Sequence, residues 1–357
     1  MVIDKRMGEN DARKILFRVD GGRIRGVSLG HVFRCMTLAG ELKERYQFDV
    51  TFLMKNYEEG VKVVKRRGFE AKVLNCNIDH NQEIDIIERF NGNLIVFDVI
   101  DVMEKGIGRL LGNGKQIVAI DDTGNKRIDA DVVINGSIVP EFRLYLKNGK
   151  NTCYYLGPKY CILGEEFDSF QSRETKPKVE TVLVFMGGSD PVGLTLRVAK
   201  YFSASSFSHK LVIILGPGFE GQDKVKDCLR TYRGMYYLLE APPKVFTKFA
   251  EADIAILAGG RTAYEAARMG VPSIIIPSIK HEEKVAKAFS DSGAFLALPL
   301  GESLPENKFC FLLHNAMEKL LENRHMREQM SKAAGKLVDG RGRNRVIHIL
   351  LKSLKKR

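Results

Sequence analysis

The sequence contains no tryptophan, no Cys-x-x-Cys pair and no apolar run of membrane-spanning length. Without a stretch of about 20 apolar residues, nothing in it reads as a transmembrane helix. The start, MVIDKRMGENDARK, is charged and has no signal-peptide core, so the default expectation is the cytoplasm. The six cysteines (Cys35, Cys76, Cys153, Cys161, Cys228 and Cys310) are scattered, mostly inside apolar segments. They read as reduced, buried small hydrophobes. Aromatic-basic motifs of the kind that stack on nucleic-acid bases are absent too.

Basic residues are in excess, 56 Lys and Arg against 44 Asp and Glu, for a formal charge of +12. That points to an anionic partner. The basic residues are spread along the chain, which speaks against nucleic acid, and the concentrated run at 352–357 reads as a solvated helix tail. A phosphorylated small molecule or an acidic membrane surface fits the charge at least as well. At 357 residues, 44% hydrophobic and 28% charged, the chain is of globular type and long enough for two domains.

The stretch 14–34, KILFRVDGGRIRGVSLGHVFR, reads as strand, loop and helix. Ile15, Leu16, Phe17 and Val19 form a buried-strand run closed by Asp20, Gly21 and Gly22. Beyond a ligand-sized loop, Val32, Cys35, Met36, Ala39, Leu42 and Tyr46 recur at helical spacing, placing the helix start near Gly30 and His31. A histidine in the first turn feels the positive helix end, which disfavours imidazolium and prepares a general base. On spacing alone such a His is more often a cap or packing residue. Here Asp20 closes the strand, Gly30 admits a close approach, and Arg34 shares a face with His31.

Strands are expected near 14–19, 50–54, 71–74, 93–97 and 117–120, and again near 181–186, 211–215, 236–239, 254–257, 273–276 and 294–297, with helices between them. That alternation implies two parallel α/β domains, each with its ligands beyond the carboxyl ends of the strands and a cleft between the two. The expected layout is an N-terminal domain at 13–166, a polar linker at 167–178, a nucleotide-binding domain at 179–336, and a terminal helix at 337–357 packing back on the first domain. Asp20, Asp98, Asp121 and Asp122 all fall at strand ends of the first domain. Each could merely cap a turn. Together they suggest hydroxyl groups to be gripped, and Asp20, Asp98 and Asp121, with Gly30 and Arg34, are taken as the sugar site around His31.

Two turns of the second domain suit phosphate. FMGGSDPVG at 185–193 offers Gly187 and Gly188 after a strand, Ser189 and Asp190 as caps, and Pro191 at a first helical position. LAGGRTAYEAARMGVP at 257–272 places Gly259 and Gly260 before a short helix, with Arg261 beside the free amides. Thr262 and Glu265 have capping-box spacing, so Glu265 reads either as a cap residue or as a contact to a sugar hydroxyl. A competing signal is GPGFEG at 216–221, a formal dinucleotide fingerprint with Glu240 about twenty residues on, which supports an NAD-dependent oxidoreductase as the alternative.

These segments, together with GPKYCILGEEF at 157–167 and LVDGRGRNR at 337–345, resemble the nucleotide-sugar hydrolases of the pseudaminic-acid pathway and the related spore-coat polysaccharide proteins. The resemblance implies a two-domain, Rossmann-like, glycosyltransferase-B-like fold similar to the lipid-II-forming transferase. It implies that water attacks the anomeric carbon of a UDP-linked aminosugar, with His31 catalytic, Gly187 and Gly188 on phosphate, Glu265 on ribose, and no metal or other cofactor. Two positions depart from the pattern: Tyr264 stands where the pseudaminic-pathway enzymes have Asn, and Gly164 where many members have Arg. The expectation is therefore a hydrolase of a UDP-sugar. A glycosyltransferase of the same fold and a non-enzymatic nucleotide-sugar-binding protein are further alternatives.

Overall fold

A computed structural model of the chain describes residues 13–22, 27–99, 106–124, 126–146, 152–170 and 173–354. The expected tail at 1–12, residues 23–26 of the loop before His31, residues 171–172 of the linker, and residues 355–357 of the basic end lie outside the described residues. The chain divides into two compact units, one holding the described residues up to 162 and again from 341 onward, the other holding Leu163–Gly340.

The first unit is built on seven parallel strands: β1 (Lys14–Val19), β2 (Asp49–Lys55), β3 (Glu70–Leu74), β4 (Leu94–Asp98), β5 (Gln116–Ile120), β6 (Val132–Asn135) and β7 (Cys153–Leu156), in the order β3-β2-β1-β4-β5-β6-β7. Helices α1 (Leu29–Tyr46), α2 (Glu58–Arg66), α3 (His80–Glu88) and α4 (Ile107–Gly112) connect the earlier strands. Apart from the exposed edge strand β3, the first five strands are apolar at most positions because the interior of a parallel sheet is covered on both faces. Strands β6 and β7 were not anticipated; each has four residues, and β7 is a half-buried edge whose weak pattern gives no strong signal.

Side chains alternate between the two faces. Ile15, Phe17 and Val19 of β1 pack with Val32, Cys35 and Leu42 of α1, whereas Leu16 joins Ile84 of α3 and Leu110 of α4 on the other face. Helix α1 ends at Gln47, which adopts a left-handed φ of 57° while Phe48 N–H donates back to Leu42 at 3.0 Å, satisfying the last carbonyls.

The second unit has six parallel strands: β8 (Thr181–Phe185), β9 (Lys210–Leu215), β10 (Tyr236–Glu240), β11 (Ile254–Leu257), β12 (Ser273–Ile275) and β13 (Phe295–Ala297), in the order β10-β9-β8-β11-β12-β13. Its helices are α5 (Leu194–Ala204), α6 (Gln222–Leu229), α7 (Val245–Glu251), α8 (Arg261–Arg268), α9 (Lys280–Asp291), α10 (Glu306–Glu322) and α11 (Arg324–Leu337). The last helix, α12 (Gly342–Ser353), belongs to the first unit and packs on α1, where Arg343 pairs with Glu41. No helix among the described residues is long and apolar enough to cross a membrane.

One buried ion cluster tests the first sheet. Arg18 of β1 is fully buried; its Nε donates to Glu83 at 2.5 Å and its Nη1 lies 2.7 Å from Asp20. Arg18→Met leaves Glu83, 2% exposed, as an unpaired carboxylate. The expected loss is ~3–5 kcal/mol in urea unfolding, recovered in part by adding Glu83→Gln. A single variant within about 0.5 kcal/mol of the parent contradicts this, since it would behave like an ordinary surface change.

Candidate functional site

In the first sheet the strand order reverses between β1 and β4, and in the second between β8 and β11. Ligands of such sheets bind beyond the strand ends at these reversals. The first reversal is occupied by the start of α1, which follows β1, and by the ends of β4 and β5.

His31, Arg34 and Cys35 stand on one face of α1 at i, i+3 and i+4, and all three reach the Asp98 carboxylate at the end of β4. His31 Nδ1 lies 2.8 Å from Oδ1; Arg34 donates through Nε to Oδ2 at 2.6 Å and through Nη2 to Oδ1 at 2.5 Å; the Cys35 thiol donates to Oδ2 at 3.3 Å. Arg34 also donates through Nη1 to Asp122 at 2.7 Å. Burial alone would raise the Asp98 pKa, but the Arg34 and His31 charges and hydrogen bonds override it and hold the carboxyl far below the usual range. Burial, then Asp98, pushes the Cys35 thiol up, so it remains a protonated donor.

An ionised carboxylate only accepts, so the proton in the 2.8 Å contact belongs to Nδ1 of His31. Arg34 Nη2 sits 3.0 Å from the same Nδ1 because both reach for one oxygen, and neither can accept. The neutral ring therefore carries its lone pair on Nε2, the form in which a His–Asp pair accepts a proton from a nucleophile. The fold thus unites three of the anticipated residues, His31, Arg34 and Asp98.

The other two anticipated acids have internal partners. Asp20 takes the Arg18 ion pair and the Lys55 N–H at 2.7 Å. Asp121 accepts from Tyr145 and the Gly124 N–H, at 2.8 and 2.7 Å, and pairs with Lys126 at 2.8 Å. Both hold turns, and Asp122 takes the place expected for Asp121. Strand parity carries the signal for this sorting: Asp98 is in phase with Leu94 and Val96, and Asp122 with Val118 and Ile120, all on the α1 face. Asp20 is in phase with Leu16, and Asp121 with Ile117 and Ala119, on the other face. Gly30 lies inside α1, where an added Cβ would meet Ser28 Oγ at 3.3 Å and nothing else within 4 Å.

In the second unit, Gly187 and Gly188 form the turn after β8. Gly187 has a left-handed φ of 87°, and a Cβ on Gly216 would lie 2.3 Å from its carbonyl oxygen, so the two turns need glycine on both sides. The Asp190 carboxylate has internal partners: it caps α5 by accepting from Leu194 and Thr195 N–H at 2.9 and 2.7 Å, and the helix starts at Leu194 rather than Pro191. Ser189 and Gly188 keep unpartnered amides among the described residues.

Around β11, Gly259 donates to buried Glu282 at 3.2 Å, and Glu282 also accepts from the Ser278 amide and hydroxyl, both at 2.8 Å. Glu282 was not anticipated from the sequence; its position in the first turn of α9 looks like ordinary helix-dipole charge. Gly260 caps α8, so Thr262 is an interior residue, its hydroxyl 3.4 Å from the Ala258 carbonyl, and the capping box does not form. Glu265 instead accepts from Arg261 Nε at 2.8 Å, and Arg261 Nη1 is buried without a partner. Burial pushes the Glu265 carboxyl up against the pull of Arg261, with the Glu166 charge adding to the rise. The amides of Gly260, Arg261 and Thr262 have no partner among the described residues, which is what an anion at a helix start requires.

The GPGFEG loop at 216–221 has a packing explanation. Gly218 N–H donates to Gly188 at 2.8 Å and Phe219 N–H to Gly216 at 3.0 Å, so amides that a dinucleotide would need are engaged inside the unit. Among the described residues no cluster of three His, Cys, Asp or Glu side chains is arranged to hold a metal.

Two parallel α/β units with chemistry-bearing turns at each sheet reversal define a glycosyltransferase-B-like fold. Acinetobacter baumannii MurG has this fold: a crystal structure of it superposes with a TM-score of 0.68 over 95% of this chain and 99% of that one, at 15% identity. Residues 181–343 match the glycosyltransferase family 28 C-terminal domain. The chain is 29% identical over 342 residues to the spore coat polysaccharide biosynthesis protein SpsG of Bacillus subtilis, covering 93% of this chain and 96% of that protein. It is also 27% identical over 274 residues to an uncharacterised protein of Methanocaldococcus jannaschii, covering 74% of this chain and 55% of that longer protein.

The acid network has a pH signature. Because Asp98 and Asp122 are both held below the usual carboxylate range, their contribution to stability is full above pH about 4, the ordinary Asp value, and is lost as pH falls further. Asp98→Asn should cost ~3–5 kcal/mol at pH 7 by leaving Arg34 without its buried partner, and the gap to the parent should narrow as urea melts are taken from pH 5 down to pH 3. A gap that stays constant over that range contradicts the ionised state assigned to Asp98.

Proposed function

We propose that the protein is an enzyme of polysaccharide biosynthesis that takes a glycosyl group from a nucleotide diphosphate sugar, with His31 as general base. The observation that carries this reading is the His31–Asp98–Arg34 arrangement, a buried ionised carboxylate that fixes one ring nitrogen and leaves the other for an O–H nucleophile. The printed names of the relatives support the context: polysaccharide biosynthesis for the Bacillus protein and glycosyl transfer for the domain matched by residues 181–343.

In this reading the nucleophile gives its proton to His31 Nε2 and its oxygen bonds the anomeric carbon. The bond from that carbon to the diphosphate oxygen breaks, and the electron pair leaves on UDP. Asp98 stabilises the imidazolium that forms. The open amides at 188–189 and 260–262, with Arg261, take up the diphosphate charge, and the second oxygen of Glu265 accepts from ribose. An acceptor hydroxyl in the nucleophile's place makes the enzyme a glycosyltransferase, which the match at 181–343 favours. Water in that place makes it the hydrolase implied by the motif resemblance.

UDP should raise the melting temperature by mass-action linkage and NADH should not; the reverse pattern overturns the nucleotide reading in favour of the oxidoreductase. UDP release from a panel of UDP-sugars, with and without cytosolic or lipid-linked sugar acceptors, separates the two nucleophiles: release without acceptor means water. His31→Ala should keep UDP affinity and lower turnover by roughly two to four orders of magnitude, the usual worth of a general base. A folded, UDP-binding His31→Ala protein with turnover within a few-fold of the parent defeats the assignment of His31.

A further inference from the structure

The second carboxylate beside His31 has an oxygen without a task. Asp122 gives Oδ1 to Arg34 Nη1 at 2.7 Å, whereas its Oδ2 lies 3.9 Å from His31 Nδ1, too far for a hydrogen bond, and meets no donor among the described residues. A third of the Asp122 side chain is open to solvent, while Asp98 is sealed at 1%.

Charge decides what that oxygen can take. The described charged side chains gathered at this strand end are Arg34 and Lys126 against Asp98, Asp121 and Asp122. Lys126 is spent on Asp121, and Arg34 alone serves the other two acids. With His31 neutral, one negative charge is left over among these described side chains, and Asp122 is where it faces water. Burial works to neutralise Asp122, but the Arg34 charge and its hydrogen bond keep the carboxyl below the usual range, so it remains an acceptor.

We propose that Asp122 is a specificity-determining residue: its Oδ2 accepts a hydrogen bond from a hydroxyl or amino group of the sugar on which His31 acts, and its uncompensated charge turns away sugars bearing an acidic substituent. This rests on the glycosyl-transfer reading above and adds to it the class of sugar, neutral or amino rather than acidic. Like charges several ångströms apart near a protein surface still repel appreciably, so the discrimination does not need direct contact with the acidic group.

The test is calorimetric titration of UDP, UDP-glucose and UDP-glucuronate into the parent, Asp122→Asn and Asp122→Ser proteins. The parent should bind UDP-glucose about ten-fold tighter than UDP-glucuronate. In both variants that ratio should fall toward one while UDP affinity stays within about two-fold, which also reports that the variants are folded. A ratio unchanged by either substitution, no preference in the parent, or loss of UDP affinity in the variants overturns the role of Asp122 and leaves the nucleotide reading standing. Failure of the parent to bind UDP overturns both.

Discussion

Everything at the end of the first sheet is arranged by the Asp98 carboxylate remaining ionised while buried. Three donors from one face of α1, the His31 ring, the Arg34 guanidinium and the Cys35 thiol, converge on two oxygens. Taking a carboxylate out of water costs several kcal/mol unless such partners satisfy it, and removing any one of them leaves the remainder mismatched. The same contacts fix the helix in rotation about its axis relative to β4, so the orientation of the imidazole is set by packing rather than by a flexible loop. Arg34 extends this control to Asp122, linking the ends of β4 and β5 through a single side chain.

The second unit solves a different problem with backbone groups. Its two glycine turns follow β8 and β11, the pair at which the strand order reverses. One turn is held by close approach, Gly216 against the Gly187 and Gly188 carbonyls; the other is held by the buried Glu282 carboxylate. Asp190 and Glu282 are both acids near the phosphate-binding expectation, and both are occupied in fixing the turns. What remains to meet an anion is amides and Arg261, a chemistry suited to a diphosphate leaving group and indifferent to the sugar attached to it.

Much of this was legible in the chain. The apolar runs revealed eleven of the thirteen strands because parallel strands covered on both faces have a strong compositional signal, and the helix bearing His31 followed from 3.6-residue periodicity. The two strands that were missed have only four residues each: β6 is buried but too short to give a clear periodicity, and β7 is a half-buried edge with little to bury. Among the acids at strand ends, position in the sequence found the candidates, but only parity along each strand separates Asp98 and Asp122 from Asp20 and Asp121. The capping box at Thr262 and Glu265 failed because the helix begins at Arg261, two residues before the start that a Thr262 cap would give, a boundary that spacing alone does not fix. Glu282 was invisible because its partner, the Gly259 amide, is 23 residues away and meets it only in the folded unit.

The proton on His31 is the most direct observable. A long-range proton–nitrogen correlation spectrum of the protein, with His31 assigned by comparison with His31→Gln, reports which ring nitrogen carries hydrogen in the neutral form. The ionised Asp98 carboxylate predicts the Nδ1–H tautomer with an unprotonated Nε2. A neutral ring protonated on Nε2 would contradict the general-base assignment, because the nitrogen left to accept a proton would then be the one facing Asp98.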